Sequence, residues 1–88
     1  MLYMVACCCS DDVRRARFDE IVKGLARDGR QMQAGLWIIE AGQPATELRD
    51  RISRQLDGCN SVIVTLLAGH AAWSGFDQST QDWLLANL

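Results

Sequence analysis

The stretch from Leu2 to Cys9 is an unbroken apolar run of eight residues, stopped by Ser10, Asp11 and Asp12. A run of this length between polar residues predicts one strand. With no polar alternation, the strand is expected to be buried on both faces. Successive side chains point opposite ways, so Leu2, Met4, Ala6 and Cys8 share one face. Tyr3, Val5, Cys7 and Cys9 share the other. Such a strand needs a covering layer above and below it. A chain of 88 residues has material for one compact domain in which to supply them.

Ser10, Asp11 and Asp12 are good helix caps, and their charge suits a helix N-terminus. The helix they open is expected to run to about Arg27. Phe18, Ile21, Val22 and Leu25 make its apolar stripe. Asp19 and Lys23 are spaced for an ion pair on the outside. Asp28-Gly29 reads as its stop, with Gly29 as a left-handed cap. Gln31 to Gln33 and Leu36 to Glu40 read as strands around Ala34-Gly35, forming either a tight hairpin or one bulged strand.

Pro44 fits the start of a second helix, from about Ala45 to Asp57. Leu48, Ile52 and Leu56 line its inner side. Glu47–Arg51 and Asp50–Arg54 are spaced to lace its outer side. Ser61 to Leu67 predicts another strand, and about Ser79 to Asn87 a short last helix.

The order strand-helix-strand-strand-helix-strand predicts an α+β fold, a ferredoxin-like βαββαβ sandwich with a C-terminal extension and short helix. Residues 1-88 form one domain, with the core in 1-67 and the extension in 68-88. Right-handed crossovers put both helices on one face of the sheet. The opposite face, carrying Leu2, Met4 and Ala6, then needs a cover. The tail is expected to cover part of it through Trp73, Phe76 and Trp83. A second copy of the chain is expected to cover the rest, as a homodimer joined through the open face or the sheet edge. Leu2, Met4, Ala6 and Trp37 are the expected dimer residues.

Composition narrows the function classes. At 49% hydrophobic residues the chain is too apolar to be disordered, and rich enough to suggest a partner surface. The net charge of −2 argues against a basic nucleic-acid binder by composition alone. There is neither a basic leader nor an apolar run near the ~20 residues of a membrane span. The expectation is a cytoplasmic protein without membrane association, its four cysteines reduced.

The run Leu2 to Arg15 resembles the start of CRISPR-associated core protein 2, the small ferredoxin-like subunit of the spacer-integration machinery. That family reads tyrosine-aspartate-isoleucine-serine-aspartate-aspartate and then basic residues. Gly29 to Trp37 is similar to its glycine-x-arginine-valine-glutamine-x-serine-valine-phenylalanine pattern. Ala45 to Asp50, Ala71 to Phe76 and Trp83-Leu84 resemble the SinR-like family of short bacterial proteins. These likenesses imply a homodimer that contacts RNA or DNA. In the first family an aspartate ending the first strand is assigned to metal-dependent nuclease activity. The matching position here is Cys8, near Ser10 and Asp11. A thiol is a poor ligand for magnesium, which prefers hard oxygen.

The sequence therefore leaves enzymatic activity open. Magnesium belongs only to the nuclease reading, and otherwise no cofactor or metal is expected. Zinc is disfavoured because adjacent cysteines on a strand face opposite ways and no Cys-x-x-Cys spacing occurs. A small core hydrophobe is the plainer role for these cysteines. Arg14, Arg15, Arg17 and Arg30, with Arg27, are the candidate nucleic-acid contacts. Pairing with Asp11, Asp12, Asp19 and Glu20 is the plainer use of the helix arginines. The favoured function is a dimeric nucleic-acid-associated or scaffold protein lacking the nuclease aspartate. An active RNA or DNA nuclease of toxin type and a small regulator that binds a protein partner are the alternatives.

Overall fold

The computed structural model describes residues 1–9, 11–56 and 61–88. The elements are β1 (Leu2–Cys8), α1 (Asp12–Leu25), β2 (Asp28–Gln33), β3 (Leu36–Glu40), α2 (Ala45–Gln55), β4 (Ser61–Leu66) and α3 (Gln78–Asn87). The four strands form one antiparallel sheet in the order β2-β3-β1-β4. The α+β class expected from the sequence is what is found. Asp57, Gly58 and Cys59 lie outside the described residues, as does Ser10.

Tyr3 and Val5 of β1 and Trp37 and Ile39 of β3 point to the same face. They pack with Phe18, Ile21 and Val22 of α1 and with Leu48 and Ile52 of α2. This is the main core, and each side chain in it is at least nine-tenths buried. Its one phenol is satisfied: the Tyr3 hydroxyl donates to the Gln43 carbonyl at 2.8 Å.

The helix ends follow local chemistry. The Asp11 carboxylate accepts from the Arg14 backbone N–H at 2.8 Å and so caps α1. The helix stops at Leu25, two residues before the expected end. Gly29 is not its cap. It lies inside β2, where an added Cβ would stand 3.0 Å from Ile39 Cγ2. Absence of a side chain lets β2 and β3 close there. The paired segment thus begins at Asp28, three residues earlier than the sequence indicates.

Of the two options for the β2–β3 connection, the hairpin is found and the single bulged strand is not. Ala34-Gly35 is a two-residue hairpin turn, with Gly35 at φ +76°. The register also slips between Gln31 and Gln33, which makes Met32 a bulge. Gly35 further accepts the Cys7 backbone N–H at 2.9 Å, tying the turn to β1.

The second face of the sheet carries Leu2, Met4 and Ala6 of β1 and Leu36 and Ile38 of β3. The tail folds back across part of it. Met4, Ile38, Trp73, Phe76 and Leu84 line an apolar cleft of about 250 Å³. Leu84 is 2% exposed and Trp83 8%. The Trp83 indole N–H donates to the Asp28 carboxylate at 2.8 Å, fixing α3 to the start of β2. The Asp77 side chain caps α3 by accepting the Thr80 N–H at 2.8 Å. No helix among the described residues is long and apolar enough to cross a membrane.

Candidate functional site

The strand end singled out by the sequence holds Cys8, Asp11 and the first arginines of α1. Cys8 is exposed and stands opposite Ser61 of β4. Cys7 and Cys9 are half-buried and pack against the main core, as small apolar side chains do. Ser10 lies outside the described residues. Among the described residues no three His, Cys, Asp or Glu side chains converge into a metal-holding group.

Asp11 is occupied. Besides the Arg14 backbone N–H, it accepts Arg14 Nη1 at 2.6 Å. These bonds, the backbone one first, hold its carboxyl below the usual carboxylate range. A carboxylate committed in this way serves the helix.

The other α1 arginines have acidic neighbours as well. Arg15 pairs with Asp12 at 3.3 Å, and Arg17 with Glu20 at 3.5 Å. These are exposed i,i+3 pairs, each contributing about 0–1 kcal/mol. Arg30 is on β2, away from them and half-buried; its Nε is buried without a hydrogen-bond partner among the described residues.

Two of the expected surface pairs are replaced. Asp19 does not pair with Lys23. Its carboxylate accepts the Trp37 indole N–H at 2.8 Å and the Gln31 amide at 3.2 Å. Lys23 instead sits 5.8 Å from the Trp37 ring centroid. Asp50 bonds to Arg49 and not to Arg54, while Glu47–Arg51 forms at 3.2 Å as expected.

Of the four expected dimer residues, three share a face. Leu2, Met4 and Ala6 are half-buried on the second face of the sheet. Trp37 pairs with Val5 in the register and is 5% exposed beneath α1. It belongs to the core face, because the strand alternation that points Leu36 and Ile38 outward turns Trp37 inward.

The feature that sequence reading passed over is the difference between the sheet's two edges. Among the described residues β4 pairs with β1 alone and β2 with β3 alone. β4 reads Ser-Val-Ile-Val-Thr-Leu, with no charge, glycine, proline or recorded bulge. Ile63 is 56% exposed and Leu66 54%. They lie on opposite faces of that strand, beside Ala6 and Tyr3 respectively. β2 reads Asp-Gly-Arg-Gln-Met-Gln, with two charges and a bulge. The alternation of β4 was readable, but its position at an edge depends on the pairing. The chain matches no protein-family model, no curated protein and no solved structure.

Proposed function

We propose that the protein is a ferredoxin-like, homodimeric scaffold of the cytoplasm, related to CRISPR-associated core protein 2 and the SinR-like proteins. It works through protein contacts and not through metal-dependent cleavage. The strand order β2-β3-β1-β4 supports the first term, since it sets β3 between β1 and β2 as a split β-α-β unit does.

One observation carries the dimer: the uncharged, apolar edge strand β4. Natural sheets guard an edge with charge, proline, a bulge or a covering element. β4 has none of the sequence devices and exposes Ile63 and Leu66 instead. Two copies meeting antiparallel along β4 satisfy both rows of backbone groups with one self-complementary patch. They also bury Ile63 and Leu66.

The scaffold reading is favoured over the nuclease by the strand end. Cys8 stands where the resemblance requires an aspartate, and Asp11 is committed to Arg14. The test combines two measurements on the purified chain. Light scattering is expected to give a dimer, and Ile63→Lys a monomer. Incubation with RNA and DNA, with magnesium or manganese and with chelator, is expected to give no cleavage. Cleavage abolished by Cys8→Ala would overturn the scaffold reading, and a monomeric wild type would overturn the dimer.

A further inference from the structure

The tail, from Ala68 to Leu88, is held to the sheet differently from the rest of the chain. The four strands pair along their lengths, and α1 and α2 pack on each other and on strands. Among the described residues α3 is the one element without an extended packing partner.

Its polar anchors are few. The Leu67 N–H donates to the Leu2 carbonyl at 2.9 Å. Beyond it, residues 68–75 make no hydrogen bond among the described residues. No ion pair joins residues 67–88 to the rest of the described chain. Asp77 and Arg30 attract only at longer range. One hydrogen bond remains, from the Trp83 indole to Asp28.

Everything else α3 needs, it finds inside the tail. Asp77 accepts the Thr80 N–H, and the Gln78 amide donates to Asp82, both at 2.8 Å. The Gln81 amide donates to the Phe76 carbonyl and the Asn87 amide to the Trp83 carbonyl, again at 2.8 Å. Lifting the helix therefore separates one indole N–H from one carboxylate, and water can serve both.

Apolar contact makes up the remainder, and it is incomplete. Trp73, Phe76 and Leu84 meet Met4, Leu36 and Ile38 around the cleft of about 250 Å³. Atoms that face a gap forgo dispersion contacts. The link to the sheet is also free to turn. Gly69 has φ +89° and Gly75 φ +84°, and nothing lies within 4 Å of the Cβ that either one lacks.

We propose that the tail is a strap that opens as a unit about this link while the sheet, α1 and α2 stay folded. Closed, it covers Met4, Leu36 and Ile38. Open, it joins them to the exposed Ile63 of the same face in one apolar surface. The chain thus carries a cover for its own second face that withdraws without global unfolding. The inference rests on the tail's contacts alone and needs neither the dimer nor the scaffold reading.

The test is native-state hydrogen exchange of the full chain in low denaturant, read peptide by peptide by mass spectrometry. Amides of α3 are expected to exchange at least about tenfold faster than the central amides of β1. They are also expected to respond less to denaturant, since opening the strap exposes less surface than unfolding. Ile52→Val trims the main core, where Ile52 is 0% exposed, and leaves the tail untouched. It is expected to speed β1 roughly two- to tenfold and leave α3 unchanged, because the main core stays intact when the strap opens. Trp83→Phe is expected to speed α3 roughly fivefold. Uncovering is read separately with Ile38→Cys. Alkylation of the new thiol by iodoacetamide is expected to run roughly fivefold faster when Trp83→Phe is added, and no faster when Ile52→Val is added. Equal acceleration of α3 and β1 by Ile52→Val overturns the proposal, because the tail then leaves only when the whole domain unfolds. Alkylation indifferent to Trp83→Phe overturns it too, since the strap then does not cover that face. So does exchange of α3 as fast as in an unstructured peptide, since the strap is then never closed.

Discussion

The two outer strands of this sheet solve the same problem in opposite ways. Among the described residues β2 and β4 each have a strand partner on one side only. β2 carries Asp28 and Arg30, a bulge at Met32, and α3 tied to its first residue by the Trp83–Asp28 bond. β4 carries uncharged side chains only and exposes Ile63 and Leu66. Charge and a bulge are the devices by which natural sheets keep an edge from pairing with another strand. β4 has no such bar, and its patch suits its own copy. An edge strand's composition thus indicates which neighbour it is built to meet.

The contrast yields experiments that separate the two edges. The largest effect is expected at Leu84, which is 2% exposed beneath the sheet. Leu84→Ala should cost about 3 kcal/mol of unfolding free energy in denaturant titrations. If α3 belongs to β2's side alone, that variant should remain dimeric. Ile63→Lys comes next. It should raise the dimer dissociation constant on the order of a hundredfold by analytical ultracentrifugation, as loss of an interface anchor does. Trp83→Phe keeps an aromatic side chain but loses the pyrrole part of the indole, and with it the N–H that reaches Asp28. It should cost about 1 kcal/mol, read by the same titrations.

The smallest effect concerns acid. The carboxyls of Asp11 and Asp77 are lowered from 3.8, in each case chiefly by the backbone N–H that the side chain caps. A depressed native pKa gives stability that is present above the unfolded value and is lost as pH falls through the native one. The thermal midpoint should therefore drop on acidification below about pH 4. Asp11→Asn, still a good cap, should flatten part of that drop.

Much of this architecture is legible in the chain. Leu2 to Cys8, Leu36 to Glu40 and Ser61 to Leu66 announce themselves by apolar content, and the Phe18-Ile21-Val22 stripe announces α1. β2 does so only in part: Gln31 to Gln33 reads as strand, while charge and glycine in Asp28 to Arg30 argue against one and only pairing with β3 extends it there. Lys23 and Asp19 have ideal spacing for an ion pair. They fail to form it because a buried indole needs an acceptor more than an exposed carboxylate needs a cation. Trp37 lies on the core face for a related reason: both faces of β3 are apolar, so composition alone does not say which one the helices cover. The arginines at the start of α1 pair with acids that their helical spacing indicates. The edge position of β4 is not legible in the chain, since it depends on pairing with β1 at the far end of the sequence.

The bond from Trp83 to Asp28 gives the molecule an optical handle. Trp37 and Trp83 both donate to an aspartate, one inside the main core and one where the tail docks. Partial opening that lifts only α3 alters the surroundings of Trp83 and leaves those of Trp37 intact. Emission from a chain with Trp37 and Trp73 both replaced by phenylalanine therefore follows Trp83 and the last helix by themselves. Far-ultraviolet dichroism follows the remainder, and any gap between their midpoints measures how loosely the last helix is attached.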